Sequence, residues 1–214
     1  AIGNALARAF PPGNADGISV VAVLVRRPRS SEAGGPPLVT TLDALRAAGP
    51  DLVVECAGHE AVREHVGPLL TAGTDVVLTS IGALTDDALR DSLADRAIAG
   101  GSRLRIAAAG IGGLDMLAAA AVGGLESVTV TVRKDPSAWH GTPAEDRLSL
   151  DAVTMPTILF DGPVREGATL YPKNVNIAAA TALAGLGLDR TRLVIVVDPS
   201  ITDHVVEIEA EGAF

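Results

Sequence analysis

Short runs rich in Val, Leu and Ile recur along this chain at residues 18–25, 51–56, 75–79 and 103–107. Helix-like segments stand beside them at 4–10, 42–48, 60–72, 86–99 and 114–122. Strand-like runs separated by helices of about ten residues predict β-α-β units and a parallel sheet. Residues 29–37, rich in Ser, Gly and Pro, read as a loop.

The texture changes after Gly123. In residues 127–133, Val128, Val130 and Val132 alternate with Thr129, Thr131 and Arg133, the pattern of a strand with one wet face. Further strands are expected at 157–160, 192–197 and 204–210. A loop at 135–143 carries the single Trp. An Ala-rich helix at 174–185 follows Pro172 and closes at Gly185 and Gly187. The fold class expected is α/β, a doubly wound parallel sheet followed by an α+β domain. The boundary falls between Leu114 and Gly124, giving a first domain over 1–113 and a second over 114–214. No internal repeat is found.

Composition narrows the core and the partners. Hydrophobic residues make up 48% of the 214 positions and aromatics only 2%, so the core is expected to be Ala, Val, Leu and Ile. That suits helices lying on a parallel sheet. A formal charge of −9 argues against nucleic acid, whose phosphates call for clustered Lys and Arg. The single cysteine, Cys56, leaves no internal disulfide and fits a reducing, cytoplasmic setting. No apolar run reaches the roughly 18 residues of a membrane helix, and no signal peptide is seen. No metal-binding cluster is expected either.

The first residues carry the first chemical hint. Ile2-Gly3 runs directly into a helix-like segment and then a strand, the second half of a G-x-G-x-x-G dinucleotide-binding unit. The strand and glycines that open such a unit would lie upstream of residue 1, so the chain is expected to be a fragment. An ordinary turn gives the same local pattern, so the weight rests on the ends of the later strands. Three successive strands end in small residues: Cys56-Ala57-Gly58, Ser80-Ile81-Gly82-Ala83 and Ala108-Ala109-Gly110. In an open parallel sheet ligands sit at these carboxyl ends, and small side chains let a phosphate or ribose approach the backbone. Cofactor contacts are therefore expected from Ile2, Gly3, Cys56, Ala57, Gly58, Ser80, Ala109 and Gly110. No acidic residue stands where a ribose 2′-hydroxyl would be bound. Arg26 and Arg27 stand there instead and suit a 2′-phosphate, unless they are solvated loop residues, so NADP is at least as well supported as NAD. Cys56 is either a small core residue or a nucleophile, and His59 starts or caps the next helix.

In the second half, Tyr171-Pro172-Lys173-Asn174-Val175-Asn176 leads into the Ala-rich helix. Lys173 suits a substrate carboxylate. Asn174 and Asn176 suit helix capping or a bond to a carboxamide. His204, at a strand start beside Asp203, is either an acid/base or a surface residue.

These stretches resemble the L-aspartate dehydrogenase family. The resemblance is carried by Glu55-Cys56-Ala57-Gly58-His59, Ser80-Ile81-Gly82-Ala83-Leu84, Gly123-Gly124-Leu125-Glu126-Ser127-Val128 and Gly141-Thr142-Pro143. It continues through Phe160-Asp161-Gly162, Tyr171-Pro172-Lys173-Asn174-Val175-Asn176, residues 183–191 and Glu211-Gly212-Ala213-Phe214. It covers nearly the whole chain, and the Pro-Lys-Asn helix entry is its most specific part. It implies a Rossmann-type domain, with its first strand missing from this chain, and an α+β catalytic and dimerisation domain whose end can return to the first. It implies a homodimer and a segment beyond Phe214. It also implies oxidation of L-aspartate with NAD or NADP to iminoaspartate, which hydrolyses to oxaloacetate and ammonia, or the reverse. By position, Asn176 would touch the cofactor. The family's Gly-Ala-Ile-Gly turn falls on Ala109-Gly110-Ile111-Gly112.

One departure bears on mechanism. The family's Asn-x-His signature, aligned on Glu207 and Gly212, places His204 at the Asn and Val206 at the catalytic His. In a strand His204 would face the same side as Val206, roughly 6–7 Å away. The expected roles are a carboxylate-holding Lys173 and a displaced proton shuttle at His204. Val206 leaves two other readings open: a dehydrogenase of a different amine, and a nucleotide-binding protein without catalysis. A further alternative is an acylating aldehyde dehydrogenase that uses Cys56.

Overall fold

The computed structural model describes residues 2–11, 17–28, 34–108, 110–172 and 176–213. Its contacts divide the chain into two units, Ala1–Ala107 and Ala108–Phe214.

The first unit opens with helix α1 (Ile2–Ala9). Strand β1 (Val23–Leu24) pairs in parallel with β2 (Leu38–Val39). The strand expected at 18–25 is thus reduced to two residues, because its ladder reaches only as far as the short partner that Pro37–Val39 provides. Helix α2 (Leu42–Ala47) starts where the Thr41 hydroxyl accepts a bond from the Ala44 N–H at 3.2 Å. It leads to β3 (Leu52–Glu55).

The helix expected at 60–72 is divided. It comprises α3 (His59–Ala61), a wide π turn (Val62–Val66) and α4 (Gly67–Thr71). Pro68 sits just past the wide turn and has no N–H to give the carbonyl of Glu64, so the regular bonding pattern cannot run through. Strand β4 (Asp75–Leu78), a buried 3-10 turn (Ile81–Thr85), helix α5 (Asp87–Gly100) and β5 (Leu104–Ile106) follow. Asp86 caps α5 by accepting from the Leu89 N–H at 3.1 Å. Strands β3, β4 and β5 form a parallel sheet in that order. Among the described residues no ladder joins it to β1 and β2. The core here is aliphatic: Val62, Val66, Leu69, Leu70, Val76, Leu78, Leu93 and Ala97 are buried.

The second unit contains α6 (Leu114–Gly123) and the long strand β6 (Leu125–Lys134). It continues with β7 (Thr157–Pro163), α7 (Val164–Leu170), α8 (Asn176–Ala184), β8 (Arg192–Val197) and β9 (Val205–Gly212). The sheet order is β7-β8-β6-β9, with β6 parallel to β8 and the outer pairs antiparallel. The loop expected at 135–143 holds two 3-10 turns, Pro136–Trp139 and Pro143–Asp146, each begun by a side-chain cap from Asp135 or Thr142. Although aromatics are scarce, three of them gather in this core. Trp139 and Tyr171 lie 5.9 Å apart edge to face, and Phe160 lies 6.3 Å from Tyr171. The expectation of a purely aliphatic core therefore fails for this unit, where large rings fill the space between sheet and helices that small side chains leave. Edge strand β9 alternates half-buried Val206, Ile208 and Ala210 with exposed Glu207 and Glu209, and charges on an edge discourage further strand pairing.

Candidate active site

Because β3, β4 and β5 are parallel, their carboxyl ends line one edge of the first unit. Cys56, Ala57, Gly58 and Ser80 all lie on it, as the sequence anticipates. Gly58 has φ 122° and ψ 175°, a conformation that side chains other than hydrogen rarely adopt. A methyl group built on Gly58 would meet nothing within 4 Å, so the edge beside it is open. Gly3 of α1 packs against the same edge: a methyl group there would stand 3.2 Å from Cys56 Sγ. Ile2 is exposed at the start of the helix, and Arg26 and Arg27 are exposed just beyond β1. Gly110 is exposed past β5, while Ala109 lies outside the described residues. Open small-residue turns on adjacent parallel strands, with two exposed guanidinium groups in the same unit, fit the chemistry of a nicotinamide dinucleotide.

Glu55, the first residue of the Glu55-Cys56-Ala57-Gly58-His59 stretch, has no role assigned to it by any motif. Its carboxylate is buried at the end of β3 and accepts from the Ala57 and Gly58 N–H groups, the Ser80 N–H and the Ser80 hydroxyl. The signal available in the sequence was a carboxylate closing an otherwise apolar strand. Cys56 is half-buried, its thiol 4.0 Å from the Val54 carbonyl. Burial, then the neighbouring Glu55 charge, pushes the thiol's pKa up. A nucleophilic cysteine needs the opposite shift, so this setting speaks for a packed thiol.

A broad hollow of about 670 Å³, lined by Asp43, Arg46, Pro50, Asp51 and Thr74, lies at the opposite, amino ends of β3 and β4. It has neither the small-residue turns nor the strand carboxyl ends that nucleotide binding uses.

In the second unit, Lys173 and Asn174 lie outside the described residues. Asn176 is half-buried and opens α8. His204 is exposed and precedes β9, whose pairing with β6 starts at Val205 opposite Arg133. The strand expected from 204 thus begins one residue later. Val206 itself packs against the cluster containing Val132 and Trp139.

By register, the start of β9, the end of β6 and the end of β8 share one end of this sheet. That end holds Lys134, which no sequence motif marks. Its ammonium lies 5.4 Å from the centre of the Trp139 ring, and burial lowers its pKa. Asp198, at the end of β8, accepts from the Ser200 N–H and hydroxyl, which holds its carboxyl below the usual range. Trp139 Nε1 and Tyr171 OH are buried without a hydrogen-bond partner among the described residues. No group of three His, Cys, Asp or Glu side chains among the described residues is arranged to hold a metal.

Comparison with known proteins matches these units one by one. The family model described as homoserine dehydrogenase, NAD binding domain, covers residues 1–107. The one described as aspartate dehydrogenase, C-terminal, covers residues 115–214. The L-aspartate dehydrogenase of Pseudomonas aeruginosa is 48% identical over 180 residues, which are 84% of this chain and 67% of that protein. The Cupriavidus necator enzyme is 47% identical over 182 residues, 85% of this chain and 67% of its own. The chain belongs to the L-aspartate dehydrogenase family. It spans about two thirds of the length of these relatives, 66% for the one from Ralstonia nicotianae. The fold agrees with the crystal structure of aspartate dehydrogenase from Thermotoga maritima, at a TM-score of 0.75 and 23% identity, over 92% of this chain and 77% of that one. The first unit is thus the Rossmann-type, NAD-binding part of an aspartate dehydrogenase fold.

Proposed function

We propose that the protein is an NAD(P)-dependent oxidoreductase acting on the CH–NH2 group of L-aspartate, or on the corresponding imine in reverse. The observation that carries this is the coincidence of two things: an open, small-residue edge on the first unit, and identity of 45–48% to L-aspartate dehydrogenases across both units. When bound, a nicotinamide cofactor supplies hydride transfer to or from the substrate α-carbon. The chain's own residues do the rest. Gly3, Gly58, Ala57 and Ser80 hold the cofactor, with Ile2, Cys56, Ala109, Gly110 and Asn176 beside it. Arg26 and Arg27 suit a 2′-phosphate, so NADP is at least as well supported as NAD. Lys173 holds a substrate carboxylate by charge. His204 moves the proton of the amine through water. In this reading 1–113 is the nucleotide-binding domain and 114–214 the catalytic domain, through which the protein forms a homodimer in the cytoplasm. No helix among the described residues is long and apolar enough to cross a membrane.

The test uses the full-length protein, with NADH or NADPH consumption followed on oxaloacetate plus ammonia and on a panel of other keto acids. Turnover with oxaloacetate is expected. His204→Ala is expected to lower kcat about a hundredfold, as for loss of a general acid–base, and to remove one limb of the pH–rate profile. An unchanged profile would remove His204 from the mechanism.

A second reading rests on Val206. The family resemblance aligns the family's catalytic histidine with Val206, and Val206 packs against the core cluster of this unit. A scaffold that binds cofactor but acts on another amine, or on none, would bind dinucleotide and leave oxaloacetate plus ammonia unchanged.

A further inference from the structure

Glu55 is the last residue of β3 and only 7% exposed, in a strand whose other members are Leu52, Val53 and Val54. A buried carboxylate is costly unless its oxygens are satisfied. Here Oε1 accepts from the Ala57 N–H at 2.8 Å, the Gly58 N–H at 2.9 Å and the Ser80 hydroxyl at 3.0 Å. Oε2 accepts from the Ser80 N–H at 3.1 Å. The last ladder bond between the two strands, from the Thr79 N–H to the Glu55 carbonyl at 3.1 Å, lies beside it. One side chain therefore fixes the turns that end two adjacent strands.

The orientation it imposes has a chemical consequence. In a trans peptide the N–H and C=O point in opposite directions, and no cis bond occurs among the described residues. Three peptide N–H groups turned to Glu55 point the carbonyls of Cys56, Ala57 and Thr79 away from it. The edge there offers acceptors above a buried negative charge. Acceptors suit hydroxyl and carboxamide donors; phosphate calls for inward-facing N–H donors such as those of a glycine turn at a helix start.

We propose that Glu55 is a positioning residue: it turns the strand-end peptides so that this edge receives the nicotinamide riboside half of the cofactor and rejects its phosphates. This rests on the dehydrogenase reading above. Cys56, Ala57 and Thr79 contribute through their main chains, so the Cys56 thiol takes no part in this role.

The test compares two probes on the full-length protein: NADH or NADPH, whichever the wild type binds, by fluorescence titration, and adenosine 5′-diphosphate, by calorimetry. Glu55→Gln turns one acceptor into a donor facing N–H groups. Dinucleotide affinity is expected to fall about tenfold, the effect of losing one bond to a charged group, with adenosine 5′-diphosphate affinity held within about twofold. Ser80→Ala removes only the hydroxyl bond and is expected to give the same selective loss at about two- to fivefold. If Glu55→Gln does not fold, Glu55→Asp, which keeps the charge but draws it back from the same N–H groups, is expected to give the same selective loss. Equal loss for both probes, or a Ser80→Ala protein with wild-type dinucleotide affinity, would overturn the proposal. A wild type that binds neither probe would overturn the dehydrogenase reading itself, and this proposal with it.

Discussion

At the scale of single residues, conformation and hydrogen-bond direction decide what each side chain does. Gly58 holds a backbone geometry that alanine reaches only with strain of about 1–3 kcal/mol. Gly58→Ala is expected to lower the melting temperature and weaken dinucleotide binding together, although nothing stands within 4 Å of the added methyl. Calorimetry beside fluorescence titration measures both, and an unchanged melting temperature would contradict the strain argument. The sequence showed Gly58 as a small residue at a strand end. It did not show that the Gly58 N–H and three other donors converge on Glu55, because the bonds from Ser80 join residues 25 positions apart. His204 illustrates the reverse. Its identity was plain, but its place, exposed and one residue ahead of the ladder, was set by where β9 meets β6.

At the scale of elements, close approach sets the packing. Helices α4 and α5 meet where a methyl group on Gly100 would overlap the Leu70 carbonyl oxygen. The helices cannot keep that spacing with any larger side chain, so Gly100→Ala is expected to cost about 1–3 kcal/mol of stability, measured by denaturant unfolding. In the second unit, His140 bonds to Glu145 at 2.9 Å and stands 3.4 Å from Asp151, between two 3-10 turns. The bond to Glu145, then the charges of Asp151 and Glu145, raises the histidine's folded pKa. Its contribution is therefore complete below the ordinary histidine value and lost as pH rises through the raised one. Glu145, lowered chiefly by the same bond, loses its contribution as pH falls through its folded value. Melting temperature against pH is expected to show a shallow maximum between the two that His140→Asn abolishes. The groups are exposed, so the effect is small.

At the scale of the whole molecule, binding couples to stability. A dinucleotide that binds only the folded state stabilises it by about 2.7 kcal/mol at a hundred times its dissociation constant. A thermal-shift comparison is expected to give a larger upward shift with NADPH than with NADH if Arg26 and Arg27 meet a 2′-phosphate, and the preference is expected to vanish in an Arg26→Ala, Arg27→Ala double variant. Equal shifts in the wild type would assign both arginines to the solvated surface. Light scattering of the full-length protein tests the proposed homodimer.

The sequence by itself determined the alternation of strand and helix, the small-residue strand ends and the change of texture near Gly123. These depend on local periodicity and on side-chain size, which neighbours in the chain fix. Only the tertiary structure decided the rest. The two-residue length of β1 was set by how much partner strand it found. The π turn before Pro68 interrupted a helix whose apolar pattern ran on. Trp139, Tyr171 and Phe160 met across long stretches of chain to build a core that composition did not foresee. Glu55 became a clasp only once β3 and β4 lay side by side. Periodicity is a property of neighbouring residues, whereas a ladder end, a ring contact or a buried carboxylate's donors come from segments that only folding brings together.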